Sequence, residues 1–236
     1  MKIKDQIEEA LRQKAIPEKA AFFPRFFKTG KGEYGEGDRF LGVTVPEQRI
    51  IAKKYWKDLP DQELEIMIKS PFHEVRLTSI LILVLKFQKA TSKAEKKSWV
   101  DFYLKNRSWV NNWDLVDSSA HLILGDYLFD KDRSILYELA KSGILWDQRI
   151  GIMSTFYFIR KKDFTDTLKI AEILLHHPHD LIHKAVGWMI REVGNRDFET
   201  ANQFLLKHYQ SMPRTMLRYA IEKFDVDKKE FFMKKP

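Results

Sequence analysis

The sequence contains no cysteine among its 236 residues. Disulfides, iron–sulfur clusters, zinc sites with thiolate ligands and cysteine nucleophiles are therefore excluded. Long apolar runs are also absent, because the longest aliphatic stretch, Ile80 to Leu85, is far shorter than a membrane span of about 20 residues. The first residues, Met1 to Gln6, lack the apolar core of a signal peptide. We expect a soluble, cytoplasmic protein with no membrane partner.

Glycine is scarce, and five of the ten glycines lie in one stretch, Phe26 to Gly42, called here the glycine-rich segment. No Lys-Ser or Lys-Thr pair follows these glycines, so the segment is not a phosphate-binding P-loop, and the dinucleotide fingerprint is missing as well. We interpret the segment as a structural loop that packs Tyr34 and Phe40, with contact to a ligand as the alternative. No cofactor and no metal are implied.

Acidic residues are fewer than basic ones. The 33 Asp and Glu residues against 41 Lys and Arg residues give a formal net charge of +8 and a sequence pI near 9.4. Such an excess favours a polyanionic partner, with nucleic acid as the usual candidate. Ribosome binding, an anionic membrane surface or solubility alone would produce the same excess, so the charge does not identify the partner by itself.

Alternating strand patterns are absent, whereas apolar residues recur with helical spacing from Ile3 onward. Pro24 is expected to interrupt the second helix, and Thr44 to Glu47 has the spacing of a capping box that opens the third. Later helices are predicted over residues 61–68, 74–87, 92–103, 111–128, 132–141, 147–160, 165–175, 181–193, 197–209 and 213–224. We predict an all-α fold in a single repeat domain, 1–236, made of N-terminal helices and the glycine-rich segment (1–42), helical repeats (43–224) and a tail (225–236).

A polar position recurs in the second helix of each predicted pair, at intervals of 41, 32, 35 and 34 residues. These register positions are Arg76, Asp117, Arg149, Lys184 and Arg218. The spacing is typical of a helical-repeat solenoid of the HEAT, armadillo or tetratricopeptide kind, in which equivalent positions line one concave face. Four basic positions predict a groove that binds duplex phosphates. A single acid there favours catalysis by Asp117, with a structural ion pair to Arg149 or another neighbour as the alternative.

Aromatic rings and carboxylates are concentrated from Ser108 to Asp117, where a helix is predicted to begin at one of two asparagines. Trp113 and Asp117 are four residues apart, which places them on the same helix face, with Asp114 turned away. The alternative is that Trp109 and Trp113 are core aromatics and that Asp117 only compensates the helix dipole. Trp109 and Asp114 are not expected to take part in chemistry.

Two further clusters favour structural roles. The histidine cluster consists of His176, His177, His179 and His183. Pro178 breaks its helical spacing and no carboxylate accompanies it, which favours an exposed interhelical loop over a metal site. In the tail, lysines alternate with two aromatic residues: Lys228, Lys229, Phe231, Phe232, Lys234 and Lys235. The tail either contacts phosphate or is a solvated last turn.

Four stretches, taken together and in order, carry a family resemblance. They are Phe40–Glu47 (FLGVTVPE), Trp113–Asp117 (WDLVD), Leu145–Arg149 (LWDQR) and Lys184–Glu192 (KAVGWMIRE). From about Pro17 to Phe224 the chain resembles the AlkD family of DNA alkylation repair enzymes. The resemblance implies a HEAT-like repeat fold whose basic concave groove holds duplex DNA, and a DNA glycosylase activity on N3- and N7-alkylated purines.

The resemblance also implies roles for individual residues. Asp117 would be the catalytic carboxylate, and Trp113 and Trp188 the aromatic walls around the sugar and backbone of the lesion. Arg149 would be the cationic partner in the groove. An alkylated purine is already cationic, so its departure needs no general acid; one ionised carboxylate can stabilise the oxocarbenium-like sugar and position water.

DNA contacts are expected from a second set of residues. Phe26 lies where the glycosylases of the family carry a tyrosine, and Thr44 lies where they carry a glutamine. The basic register positions Arg76, Lys184 and Arg218 are expected to contact phosphates. Two other functions remain open, a non-catalytic HEAT-like module that binds duplex or branched DNA and a solenoid scaffold for an acidic protein. We expect a monomer with no obligate protein partner and with duplex DNA containing alkylated bases as its substrate.

Overall fold

The computed structural model describes residues 1–234, and within this range it contains helices and no β-strand. One isolated parallel bridge pairs Arg39 with Phe72. The prediction of an all-α fold of helical repeats is therefore confirmed. None of the helices in the described range is long and apolar enough to cross a membrane. The chain divides into two compact units, Met1–Ser119 and a second that begins at Ala120, and the single repeat domain stays a prediction.

The first unit consists of seven α-helices and a short 3-10 turn. They are α1 (Ile3–Gln13), α2 (Pro17–Phe26), α3 (Val45–Tyr55), α4 (Asp61–Met67), α5 (His73–Lys89), α6 (Lys93–Lys105), the 3-10 turn Arg107–Trp109 and α7 (Trp113–Asp117). Helix α5 lies at the centre, packed against α1, α3, α4, α6 and α7. Its aliphatic run, Ile80 to Val84, is buried on every side, as expected for a helix that is apolar all round.

Two local predictions in this unit were wrong. Pro24 does not interrupt the second helix but lies within its last turn, because the ring fixes φ near the helical value and costs only one backbone hydrogen bond there. Helix α3 begins at Val45 as predicted, but the Thr44 side chain makes no capping hydrogen bond. The expected partner, Glu47, instead forms an ion pair with Lys14 at 3.4 Å.

The second unit begins with a π-helical segment. Its elements are the π segment His121–Gly125, α8 (Asp126–Leu128), α9 (Ser134–Lys141), α10 (Leu145–Ser154), α11 (Phe156–Arg160), α12 (Thr165–Ile173), α13 (Asp180–Gly194), α14 (Phe198–His208), α15 (Arg214–Ala220) and α16 (Val226–Met233). Helix α13 is central and packs against α10, α12, α14 and α15. Gly187 permits its close approach to α15, since a Cβ there would lie 2.4 Å from the Met216 carbonyl oxygen.

Gly42, at the end of the glycine-rich segment, is the glycine on which the first unit depends most. Its φ is +86°, and a Cβ would lie 2.2 Å from the Ile16 carbonyl oxygen and 2.7 Å from the Ala20 nitrogen. We expect Gly42→Ala to lower the free energy of unfolding by about 2 to 4 kcal/mol, measured by urea denaturation. The strain of a positive φ and the collision of the new Cβ with the Ile16 backbone would both destabilise the folded state.

Gly32 provides a matched control for this substitution. It has a similar φ of +79° but no neighbouring atom within 4 Å of the added Cβ. Gly32→Ala should therefore cost only the backbone strain, about 1 kcal/mol. Equal losses in the two variants would contradict the packing role assigned to Gly42.

Candidate functional site

Helix α7 carries the candidate catalytic residues, and it is shorter than the sequence predicted. Asn112 caps it, accepting a hydrogen bond at 2.8 Å from the Trp113 backbone N–H. The helix ends at Asp117 and does not continue to residue 128. After the end of the helix, the Ser119 hydroxyl donates to the Leu115 carbonyl oxygen at 2.6 Å, a back-bond of the kind that often bends helices. A π-helical segment follows in the chain.

Trp113 is half-buried and is held by rings from the glycine-rich segment. The ring of Phe27 stacks on it with centroids 5.5 Å apart, and the ring of Phe26 meets it edge-on at 5.8 Å. Phe26 remains 49% exposed. Trp113 is therefore positioned by aromatic contacts on one side while part of the indole remains accessible.

The two acids of α7 have different surroundings. Asp117 is half-buried and lies one turn beyond Trp113 on the same helix. Asp114 is buried, and its Oδ2 lies 2.8 Å from Nε2 of His73. Asp114 thus has an internal partner on α5, and the expectation that it takes no part in chemistry stays a prediction.

His73 joins Asp114 to a second carboxylate from a distant part of the chain. Its Nδ1 lies 3.2 Å from Oδ2 of Asp38 in the glycine-rich segment. Arg76 donates to the other oxygen of Asp38 at 2.7 Å. We call these four residues, His73, Asp38, Asp114 and Arg76, the His73 cluster. Sequence analysis missed His73 and Asp38, since the partners of His73 are 35 and 41 residues away and no local pattern connects them.

The charges of the His73 cluster shift the titration of two of its members. Burial by itself would lower the pKa of His73, but the charge of Asp114 and the hydrogen bonds to both carboxylates raise it to about 9. Burial would raise the pKa of Asp38, yet the hydrogen bond to His73 and the charge of Arg76 keep it below its ordinary value. His73 is therefore an imidazolium at neutral pH, with a donor at each ring nitrogen.

The glycine-rich segment is tied to the beginning of α5 by backbone contacts as well. The buried carboxylate of Glu74 accepts hydrogen bonds from the backbone N–H groups of Leu41, Gly42 and Val43, at 2.8 to 3.2 Å. Phe40 stacks on the ring of Phe27 at 5.2 Å. Phe40 is thus packed as predicted, and Tyr34 is half-buried. A structural role for the segment, rather than contact with a ligand, stays a prediction.

In the second unit, helix α13 carries the other candidate aromatic wall. Trp188 is half-buried, donates from Nε1 to Glu192 at 3.3 Å and lies with its ring 6.0 Å from that of Phe156. Lys184, one turn earlier, forms an ion pair with Asp180 at 2.7 Å and keeps 40% of its side chain exposed. Both residues thus lie at the partly accessible surface of α13.

The fold and these positions can be compared with known proteins. The model of the DNA alkylation repair enzyme family matches residues 7–224. The chain belongs to this family. Among solved structures, a protein described as a predicted DNA alkylation repair enzyme from Enterococcus faecalis is similar, with a TM-score of 0.71 at 16% identity over 90% of this chain and 98% of that one. The sequence matches no curated protein.

For a member of the DNA alkylation repair enzyme family, the arginines at the register positions have an unexpected placement. Arg76 is buried, and its guanidinium binds Asp38 and the Ser70 carbonyl oxygen. It is not placed to contact a phosphate, so its predicted DNA contact is corrected to an internal ion pair. Arg149 is also buried and donates to the Leu181 carbonyl oxygen. Arg218, on α15, is exposed.

The predicted register therefore groups residues whose surroundings differ. A repeat interval locates equivalent helices, but each side chain takes the partners that its own unit offers. Trp109 also departs from expectation, since it is 39% exposed rather than packed in the core. Thr44 is half-buried in the turn before α3, and its predicted DNA contact stays a prediction, as does that of Phe26.

The histidine cluster, between α12 and the first turn of α13, forms hydrogen bonds with its own stretch of chain and with α10. His177 contacts the side chain of Gln148 at 2.8 Å, and His179 accepts from the Leu181 backbone N–H at 3.1 Å and caps α13. Burial together with neighbouring histidines lowers the pKa of His177. His176, His177 and His179 lie in the loop as predicted, but His183 lies in the first turn of α13. His176 is exposed, whereas the other three histidines are half-buried, so the prediction of an exposed loop holds only in part.

Most of the described part of the tail forms the helix α16. In α16, Phe232 is buried, whereas Phe231 is 48% exposed. Lys228 pairs with Asp225 at 3.2 Å. Lys235 lies outside the described residues, and the predicted phosphate contact of the tail stays a prediction.

Proposed function

We propose that this protein is a DNA glycosylase that hydrolyses the N-glycosidic bond of N3- and N7-alkylated purines in duplex DNA. The observation that carries the proposal is the pairing of Trp113 and Asp117 on α7 in a member of the DNA alkylation repair enzyme family. One residue offers an aromatic face and the other a carboxylate, one helical turn apart. These are the two groups that a cationic sugar-like transition state requires.

The reaction follows from the charge of the substrate. The alkylated base is already a cation, so the glycosidic bond breaks as the base takes the bonding electrons and leaves neutral. Positive charge then develops on the sugar, where the carboxylate of Asp117 stabilises it and orients a water molecule toward C1′. The water supplies the hydroxyl group and releases a proton. This differs from glycoside hydrolysis, which needs a second carboxyl group as acid.

The aromatic residues would bind the lesion through its charge. Trp113, with its indole held by Phe27 and Phe26, presents an electron-rich face worth about 0.5 to 2 kcal/mol to a cation. Trp188 would supply a second such face, fixed by Phe156 and Glu192. In this assignment Phe26 would contact the DNA through its exposed ring.

Basic side chains at the surface would contact the DNA phosphates. Lys184 and Arg218 have side chains at the surface of the second unit and would bind phosphates of the DNA backbone. Arg149 would act from within the second unit as a fixed positive charge rather than by direct contact. The hydroxyl group of Thr44 would donate a hydrogen bond to the DNA. We propose a cytoplasmic monomer that acts on duplex DNA.

The deciding experiment is incubation of the purified protein with N-methylated duplex DNA, followed by measurement of free 7-methylguanine and 3-methyladenine. Release above the spontaneous rate is expected, and its absence would contradict the glycosylase. Binding to duplex DNA should be measured across a salt series at the same time. Binding with a steep salt dependence but without base release would indicate a non-catalytic module, and no binding at all would indicate a scaffold for an acidic protein.

A further inference from the structure

His73 lies between the two segments that form the candidate site in the first unit, and no part of the proposed reaction uses it directly. We propose that the imidazolium of His73 is a positioning residue, which holds α7 and the glycine-rich segment together so that Trp113 and Asp117 meet the substrate in the reactive geometry. The inference rests on the proposed glycosylase function and adds to it a requirement for a protonated histidine.

The geometry supports a bridge between two segments. Nε2 of His73 lies 2.8 Å from Asp114, which belongs to the same five-residue helix as Trp113 and Asp117. Nδ1 lies 3.2 Å from Asp38 of the glycine-rich segment. Only the imidazolium has a donor for each carboxylate, because a neutral ring carries one N–H. Loss of the proton would therefore remove one of the two hydrogen bonds that His73 makes to these segments.

Other contacts make the bridge rigid. Arg76 donates to Oδ1 of Asp38 at 2.7 Å. Nδ2 of Asn112 lies 3.4 Å from Oδ2 of Asp38, the oxygen that His73 also contacts. Asn112 is also the cap of α7, so the glycine-rich segment contacts the beginning of this helix directly, through Asp38. The charged groups that face His73 are thus Asp114 from α7, Asp38 from the glycine-rich segment and Arg76 from its own helix.

Aromatic packing connects the same histidine to Trp113. The rings of Phe27 and Phe40 lie 4.6 and 5.1 Å from the imidazole of His73. Phe27 in turn stacks on Trp113 at 5.5 Å. His73 is only 2% exposed, so its charge is shielded from salt and its position is set by these contacts. A change at His73 is expected to displace both Trp113 and the helix that carries Asp117.

The test is the single-turnover rate of 7-methylguanine release by the full-length protein, measured from about pH 6 to about pH 10 together with the dissociation constant for duplex DNA. We expect His73→Gln to lower the rate about 10- to 100-fold, while the dissociation constant stays within about twofold, because positioning affects the reaction more than binding. The wild-type rate should fall above pH 9, where His73 loses its proton. The variant should lack this alkaline limb.

Asp114→Asn provides a second variant if His73→Gln does not fold. An amide keeps an acceptor for Nε2 of His73 but removes the charge that most raises the pKa of the histidine. Its alkaline limb should move to lower pH, which a merely structural role for Asp114 would not produce. The matched control is His176→Gln, an exposed histidine of the second unit, whose rate and pH profile should equal those of the wild type.

The outcomes separate this inference from the function on which it rests. If the wild type releases no base, the glycosylase proposal fails and the positioning role fails with it. If the wild type releases base and both variants keep its rate and its alkaline limb, only the role of His73 is overturned. Parallel loss of the rate and of duplex affinity in both variants would also overturn it, because that pattern indicates a general structural defect.

Discussion

Asp117→Asn is expected to lower base release from N-methylated duplex DNA about 100- to 1,000-fold. The amide has nearly the shape of the carboxylate, but it carries no negative charge to stabilise the cationic sugar. Asp117 is the last residue of α7 and is half-buried, so the substitution leaves the core of the first unit intact. Duplex affinity should be retained or slightly increased, because a charge that repels phosphate has been removed.

Asp101→Asn is the matched control for this loss. Asp101 is an exposed acid on α6, paired with Lys97 at 2.6 Å, and lies outside the candidate site. Its substitution should change neither base release nor duplex affinity. If the rate of base release is unchanged in Asp117→Asn, the catalytic carboxylate lies elsewhere. The catalytic role proposed for Asp117 beside Trp113 would then be wrong.

The free energy of unfolding should fall by about 3 kcal/mol as the pH rises from below 6.5 to well above 9, because of His73 alone. The ordinary pKa of a histidine is 6.5, and the pKa of His73 in the folded protein is about 9. The folded state therefore holds the proton more tightly than the unfolded state. The stabilisation is complete below pH 6.5 and is lost as the pH passes through 9.

Asp38 makes the free energy of unfolding depend on pH in the opposite direction, in the acidic range. Its pKa is lowered in the folded state, so its contribution is present above the ordinary carboxyl pKa and is lost as the pH falls below that value. The His73 cluster should consequently contribute most between the two titrations. Its members are buried, so high salt should change this contribution less than it changes that of a surface ion pair.

Urea denaturation over a pH series, compared between the wild type and His73→Gln, measures this effect. The variant should be less stable at neutral pH and should lose the decline between pH 6.5 and 9 that His73 causes. His176→Gln should reproduce the wild-type curve. A wild-type stability that is level through this interval would mean that His73 is neutral in the folded protein, and the His73 cluster would then not be charged as described.

Local features of the chain were predictable from the sequence because they depend on neighbouring residues. The caps at Ser92 and Asp197, which accept from the Glu95 and Thr200 backbone N–H groups, follow from short-range chemistry. So does the beginning of α7 at Asn112. The length of α7 did not follow, since a serine such as Ser119 is compatible with a helix that continues as well as with one that bends or ends there.

The sequence by itself determined the all-α class, the order of the helices and the family, because apolar periodicity and ordered motifs are written along the chain. Only the tertiary structure decided which charges face outward. Arg76 lies at a predicted register position but is buried against Asp38, 38 residues earlier, and His73 joins segments 35 and 41 residues away. Pairing of buried charges depends on which segments the fold brings together, and helical periodicity contains no information about that.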